Sequence, residues 1–193
     1  MKRKIVEHYG LETHIIPEDG SDPDNEDFRV AFCNLSLTVK DGKPIQIPGV
    51  DYLFIGSIGA AYNKEKLLQH GITHILCLSE IIKMNFPESF TYLRIPMIDR
   101  IEYDITEDLD QIFEFITTAK ENNGKILVHC YQGKSRSCAI CCAYMIKYYN
   151  HTLLSSLELI RTVRPIASPN SGFLSILQNF ETIYQCSTEA VEI

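Results

Sequence analysis

The 193-residue sequence has no tryptophan, no excess of basic residues, no apolar run long enough to cross a membrane and no internal repeat. Lysine and arginine number 18 against 25 aspartates and glutamates, a formal charge of -7, so no global positive field draws the chain to nucleic acid or to an anionic membrane. Positive charge that holds a phosphorylated ligand must then be local. The N-terminus, MKRKIVEHYG, starts with basic residues but lacks the apolar segment of a secretory signal, so a cytoplasmic or nuclear location is the expectation. Seven cysteines, an odd number set mostly in apolar context, fit a reducing compartment better than a disulfide scaffold.

What is present suffices for one sizeable core: 45% of the residues are hydrophobic. Residues 18–27, EDGSDPDNED, are acidic, turn-rich and free of apolar side chains, and read as a solvated loop or linker. Phe28, Val30 and Phe32 then alternate, and Leu35, Leu37 and Val39 resume in the opposite phase, as strand pieces broken near Asn34 would. IQIPGVDYLFIGS predicts two short strands around a Pro48-Gly49 turn, and Asn63 predicts the cap of a short helix ending at His70-Gly71. ITHILCL and FTYLRIP read as buried strands. Leu109, Ile112, Phe113 and Ile116 define a helix, with Thr106 as its expected N-cap and Asn123-Gly124 as its stop. KILVHC is a central strand, and Ala139, Cys142, Ala143 and Ile146 form the expected buried stripe of the next helix. Two further helices follow, one over residues 152–163 and one carrying Phe173, Ile176, Leu177 and Phe180. Strands alternating with helices imply an α/β layer fold with a mostly parallel sheet.

The stretch VHCYQGKSRSCAI, residues 128–140, carries the chemistry and admits three readings. Gly133-Lys134-Ser135 resembles the end of a nucleotide-binding loop, but the upstream glycine of that motif is replaced by Val128. Cys138 and Cys141 have a dithiol spacing, but no second pair completes a zinc site, and Cys138 is expected about two turns into the helix, away from the thiolate-stabilising junction. The third reading places Cys130 at the strand-to-helix junction. Backbone N–H groups of the intervening loop converge on an anion there, and such a field favours the nucleophilic thiolate. Arg136, six residues on, brings a planar fork suited to two phosphate oxygens.

HCYQGKSRS matches the Cys-x5-Arg signature of the cysteine-dependent phosphatases and resembles most closely the form found in dual-specificity phosphatases. DYLFIGSIGAAYN, GITHILCLSE, YLRIPMID and VRPIASPNSGFLSILQNFE resemble successive blocks of the same catalytic domain. The resemblance implies a phosphotyrosine-phosphatase-like fold, a sheet of about five strands flanked by helices. It also implies a division into an N-terminal extension (1–48), a catalytic domain (49–186) and a short tail (187–193). Absence of a Trp-Pro-Asp loop and the short chain resemble the small, atypical members, whose shallower pocket admits phosphoserine and phosphothreonine beside phosphotyrosine.

The implied chemistry needs no metal or cofactor. Cys130 is the expected nucleophile, and Arg136 with the backbone N–H groups of Tyr131, Gln132, Gly133, Lys134, Ser135 and Arg136 the expected phosphate cradle. Of the loop acids Asp99, Glu102 and Asp104, Asp99 occupies the family's general-acid place, while Asp104 suits a helix cap. Ser137 stands where its hydroxyl reaches the Cys130 sulfur, or where it caps its own helix. His129 is expected to order the loop, and Asn170 resembles the residue that steadies the cradle, though it also suits an N-cap. Lys134 is a solvated lysine or a rim charge of the kind seen in phosphatases of non-protein substrates. Cys77 is expected as a core cysteine, with a reversible disulfide to Cys130 as the alternative. A phosphorylated protein, a kinase among the candidates, is the expected partner. Phosphoinositide, RNA 5′-phosphate or phosphoglucan hydrolysis and a phospho-binding scaffold are the competing functions.

Overall fold

The computed structural model describes residues 3–8, 11–17 and 40–189. Strands β1 (Arg3–His8) and β2 (Leu11–Pro17) pair antiparallel as a separate two-stranded sheet. The acidic stretch 18–27 and the strand pieces expected over 28–39 lie outside the described residues.

The central sheet contains β3 (Ile45–Gln46), β4 (Leu53–Gly56), β5 (Ile72–Cys77), β6 (Thr91–Arg94) and β7 (Lys125–His129) in the order β3-β4-β7-β5-β6. All neighbours are parallel except β3 with β4. The expected five-stranded, mostly parallel sheet is therefore present. Strand β7 is central: Ile126, Leu127 and Val128 are each fully buried, as a strand covered on both faces requires. Gly56 and Cys77 flank His129 in register, so the carboxyl ends of three parallel strands meet at one point.

Helices α1 (Ile58–Ala61) and α2 (Lys64–Gln69) follow β4, and α2 is capped by Asn63, whose side chain accepts from the Lys66 N–H. With Phe54, Ile75, Cys77, Leu127, Phe86 and Phe90, they form the smaller core. Helices α3 (Thr106–Glu121), α4 (Arg136–Tyr149), α5 (Leu153–Val163) and α6 (Ser171–Glu189) build the larger one against Ile55, Leu76 and Val128. The expected stripe Leu109, Ile112, Phe113 and Ile116 faces this core, and Asn123, in the left-handed region at φ 53°, ends α3.

One expectation is corrected. Thr106 is not the N-cap of α3: it is the first helical residue, and Asp104 accepts from both its backbone N–H (2.9 Å) and its hydroxyl (2.7 Å). An aspartate two residues ahead makes a local turn that satisfies the helix start as well as a hydroxyl cap does. In helix α4 the expected stripe Ala139, Cys142, Ala143 and Ile146 is buried, and the burial extends around the whole helix. Every residue from Ser137 to Ile146 is buried, because the helix is enclosed by the sheet, α5 and α6. Its run of Cys, Ala and Ser supplies the small volumes that such close packing needs.

Candidate active site

The six residues from Cys130 to Ser135 join β7 to α4, and their backbone carbonyls account for the shape they take. Tyr131 O accepts from the Ile58 N–H (3.0 Å), Gln132 O from Arg164 Nη2 (2.7 Å), Gly133 O from Arg164 Nε (2.5 Å), and Lys134 O from the Ser168 N–H (2.8 Å). In a trans peptide the N–H points opposite to the carbonyl, and the described residues contain no cis bond. Anchoring four successive carbonyls against α1 and the α5–α6 connection thus turns the N–H groups of residues 132–135 to the other side of the loop. This is the geometry of an anion nest. Gly133 is obligatory: its φ is +64°, and a Cβ there would lie 2.5 Å from Gly56 O.

Cys130 is buried, with Sγ 3.4 Å from Ser137 Oγ. Ser137 is buried and points at the sulfur from the first turn of α4. Arg136 is fixed by Nη1, which donates to Leu78 O (3.0 Å) and Met97 O (3.3 Å), while its buried Nε has no hydrogen-bond partner. A buried guanidinium N–H without an acceptor costs free energy unless an anion meets it.

Asp99 lies on the loop after β6, anchored by the buried side chains of Ile95 and Met97 on the N-terminal side. Its Oδ1 accepts from Ser135 Oγ (2.7 Å) and Asn170 Nδ2 (2.9 Å), and Oδ2 stands 3.7 Å from Arg136 Nε. Of the three acids considered, Asp99 is the one joined to the loop; Glu102 is exposed and Asp104 is engaged with Thr106. Asn170 does two things at once. Its Oδ1 accepts from the Phe173 N–H (3.0 Å) at the start of α6, and its amide tethers Asp99.

His129 is buried with Nδ1 3.3 Å from Cys130 O. Burial pushes its pKa down to about 4, and the nearby positive charge of Arg136 acts in the same direction against the carbonyl contact, so the ring is neutral at pH 7. Lys134 and Gln132 extend their side chains into solvent. Cys77 donates to Ser79 O (3.7 Å), and burial raises its thiol to about 11. It belongs to the smaller core and Cys130 to the larger.

Cys138 is not two turns into the helix: α4 starts at Arg136, which puts Cys138 in the first turn. The compact six-residue loop leaves no room for a longer lead-in. Cys138 and its neighbours are nevertheless fully buried. The Cys142 thiol is raised by its hydrogen bond with Cys138 and by burial, and Cys141 by burial. Neither has the thiolate character of a redox pair.

Residues 53–183 match the family described as "Dual specificity phosphatase, catalytic domain". The chain belongs to the dual specificity phosphatases. Dual specificity protein phosphatase 1B of Arabidopsis thaliana is 41% identical over 133 residues, covering 69% of this chain and 80% of the relative. Dual specificity protein phosphatase 1 of the same plant is 37% identical over 137 residues, 71% and 69% respectively. Among solved structures, human DUSP28 superimposes with a TM-score of 0.69 at 30% identity, covering 74% of this chain and 95% of that one. This phosphatase therefore resembles small, atypical members of the family. Among its described residues no helix is long and apolar enough to cross a membrane.

Two residues of the phosphatase site escape the sequence. Arg164, at the end of α5, is 3% exposed and holds two loop carbonyls; Asp41, ahead of β3, accepts from its Nη1 (3.2 Å) and Nη2 (2.6 Å). The arginine lies in the family block VRPIASPNSGF, where an arginine before proline at a helix end is the available signal. Asp41 lies in the KDGK stretch ahead of β3, whose residues signal a chain reversal but not this ion pair.

Proposed function

We propose that this phosphatase hydrolyses phosphotyrosine and phosphoserine or phosphothreonine on proteins through a phosphocysteine at Cys130. The Cys130 thiolate attacks phosphorus, the bond from phosphorus to the leaving oxygen breaks, and Asp99 donates the proton that the departing alkoxide or phenoxide takes up. Water, deprotonated by the Asp99 carboxylate, then attacks the phosphocysteine. The sulfur–phosphorus bond breaks, releasing inorganic phosphate and returning the thiolate and protonated Asp99 to their initial state.

Throughout, the loop N–H groups and Arg136 hold the three equatorial oxygens, where the charge of a loose transition state resides. Ser137 supports thiolate departure by hydrogen bonding to sulfur. His129 orders the loop as a neutral ring, and Asn170 holds Asp99. The observation that carries this reading is the carbonyl anchoring of residues 131–134, which turns a chain of N–H donors toward one side beside Cys130 and Arg136.

The matched span 53–183 supports a catalytic domain over residues 49–186, with 1–48 as an extension and 187–193 as a tail. A phosphorylated protein, such as a kinase, in the cytoplasm or nucleus fits the family and the acidic charge balance. Phosphate release from phosphotyrosine and phosphothreonine peptides, phosphoinositides and RNA 5′ ends, with Cys130→Ser as control, tests the reading. Turnover confined to phosphopeptides and abolished in Cys130→Ser is expected. Turnover confined to a lipid or RNA substrate would replace the substrate class, and silence across the set would favour a phospho-binding scaffold.

A further inference from the structure

We infer that Asp41, which lies ahead of the family-matched segment 53–183, is a positioning residue for the phosphate cradle, acting through Arg164. The inference rests on the reading of residues 130–136 as that cradle.

The guanidinium of Arg164 is planar, so its donors cannot be aimed independently. Nε and Nη2 face Gly133 O and Gln132 O, and the end formed by Nη1 and Nη2 faces the Asp41 carboxylate. Fixing one end fixes the other. The carboxylate thereby sets the plane in which two consecutive carbonyls of the loop are pulled outward, and with them the direction of the Gly133 and Lys134 N–H groups.

Asp41 also neutralises a buried cation. Arg164 is 3% exposed, and an unpaired guanidinium at that depth has a strong incentive to seek another anion. The anion nearest in character is the phosphoryl group itself, so loss of Asp41 frees Arg164 to leave the back of the loop.

The second support of the loop passes through the same residue. Asp41 O accepts from Ser57 Oγ (3.2 Å), Ser57 Oγ accepts from the Gly59 N–H (3.2 Å) at the start of α1, and the Ile58 N–H holds Tyr131 O. Asp41 therefore joins the anchors of Tyr131, Gln132 and Gly133, three successive residues of the cradle. A short segment before the catalytic domain completes its active site from behind.

The test measures inhibition by inorganic tungstate, a tetrahedral oxyanion, alongside kcat and KM on an aryl phosphate, using the full chain. Asp41→Asn keeps the shape and removes the charge, and is expected to weaken tungstate inhibition and lower kcat/KM by about tenfold, inside the hundredfold that an ångström of misplacement costs. Asp41→Glu, which keeps the carboxylate, is expected to recover most of the tungstate affinity. Combining Asp41→Asn with Arg164→Lys is expected to add little to the loss from Arg164→Lys alone, since both break one connection.

Asp41→Asn within about twofold of wild type in both readouts, even with a lowered melting temperature, would overturn the inference, as would losses that multiply in the double variant. Wild-type turnover that tungstate does not inhibit would count against the cradle reading instead.

Discussion

Ser135 donates its hydroxyl hydrogen to Asp99 Oδ1 at 2.7 Å, which ties the loop after β7 to the loop after β6. Asn170 donates to the same oxygen, while Oδ2 faces Arg136 Nε at 3.7 Å, so the carboxylate is held between the two loops. Asp99→Asn is expected to lower kcat by about 10²–10³-fold on phosphothreonine, whose alkoxide needs a proton, and by much less on an activated aryl phosphate. Steady-state rates on both substrates check this. Equal losses would remove Asp99 from the acid role.

Asn170 separates stability from activity. Asn170→Ala removes both the α6 cap and the tether, and is expected to cost about 1 kcal/mol of stability together with a loss of kcat. Asn170→Asp retains a capping acceptor but sets a second carboxylate against Asp99, so it should keep most of the stability and still lose kcat. Denaturant unfolding beside initial rates distinguishes the two effects.

Gly133→Ala is expected to abolish measurable turnover and to destabilise the domain by about 1–3 kcal/mol. The new methyl would meet Gly56 O at 2.5 Å and Arg164 Nη2 at 2.6 Å, in a backbone conformation at φ +64° that alanine disfavours. Neither neighbour can retreat, because one is strand backbone and the other holds the loop. Thermal unfolding and tungstate binding together measure the damage.

His129 makes stability depend on pH. An unfolded histidine titrates near 6.5 and buried His129 near 4, so between those values the unfolded chain binds the additional proton. The contribution is complete above about pH 6.5 and is lost as pH falls toward 4, amounting to at most about 3 kcal/mol. His129→Gln is expected to flatten this acid limb in urea unfolding between pH 7 and 4. An unchanged slope would mean that His129 protonates without unfolding.

How much of this was legible in the sequence follows the distance over which each feature is encoded. The Cys130–Arg136 spacing is local: strand, loop and helix start are contiguous, and so the cysteine and the guanidinium are found without knowing the rest. Asp99 and Asn170 come from remote segments, and the resemblance to the family's blocks, not spacing, points to them. Arg164 and Asp41 are 123 positions apart, and their meeting depends on the path of the chain before β3, which no periodicity announces. At the start of α3 Asp104 and Thr106 are both good capping residues, and the side-chain geometry that makes Asp104 the acceptor is not visible in the sequence. The apolar positions of helix α4 are legible from their spacing, whereas the burial of its whole circumference depends on the packing of α5 and α6 against it.

The phosphocysteine itself is the most direct test. The phosphatase is mixed with phosphotyrosine substrate, quenched with acid within milliseconds and digested, and the peptides are examined by mass spectrometry. Ser137→Ala, which removes the hydroxyl 3.4 Å from the sulfur, is included to slow the second step. The expected result is a phosphoryl group on the peptide containing Cys130, accumulating further in Ser137→Ala and absent from Cys130→Ser. Phosphate released with no labelled cysteine in either active form, or labelled at another residue, would contradict the account.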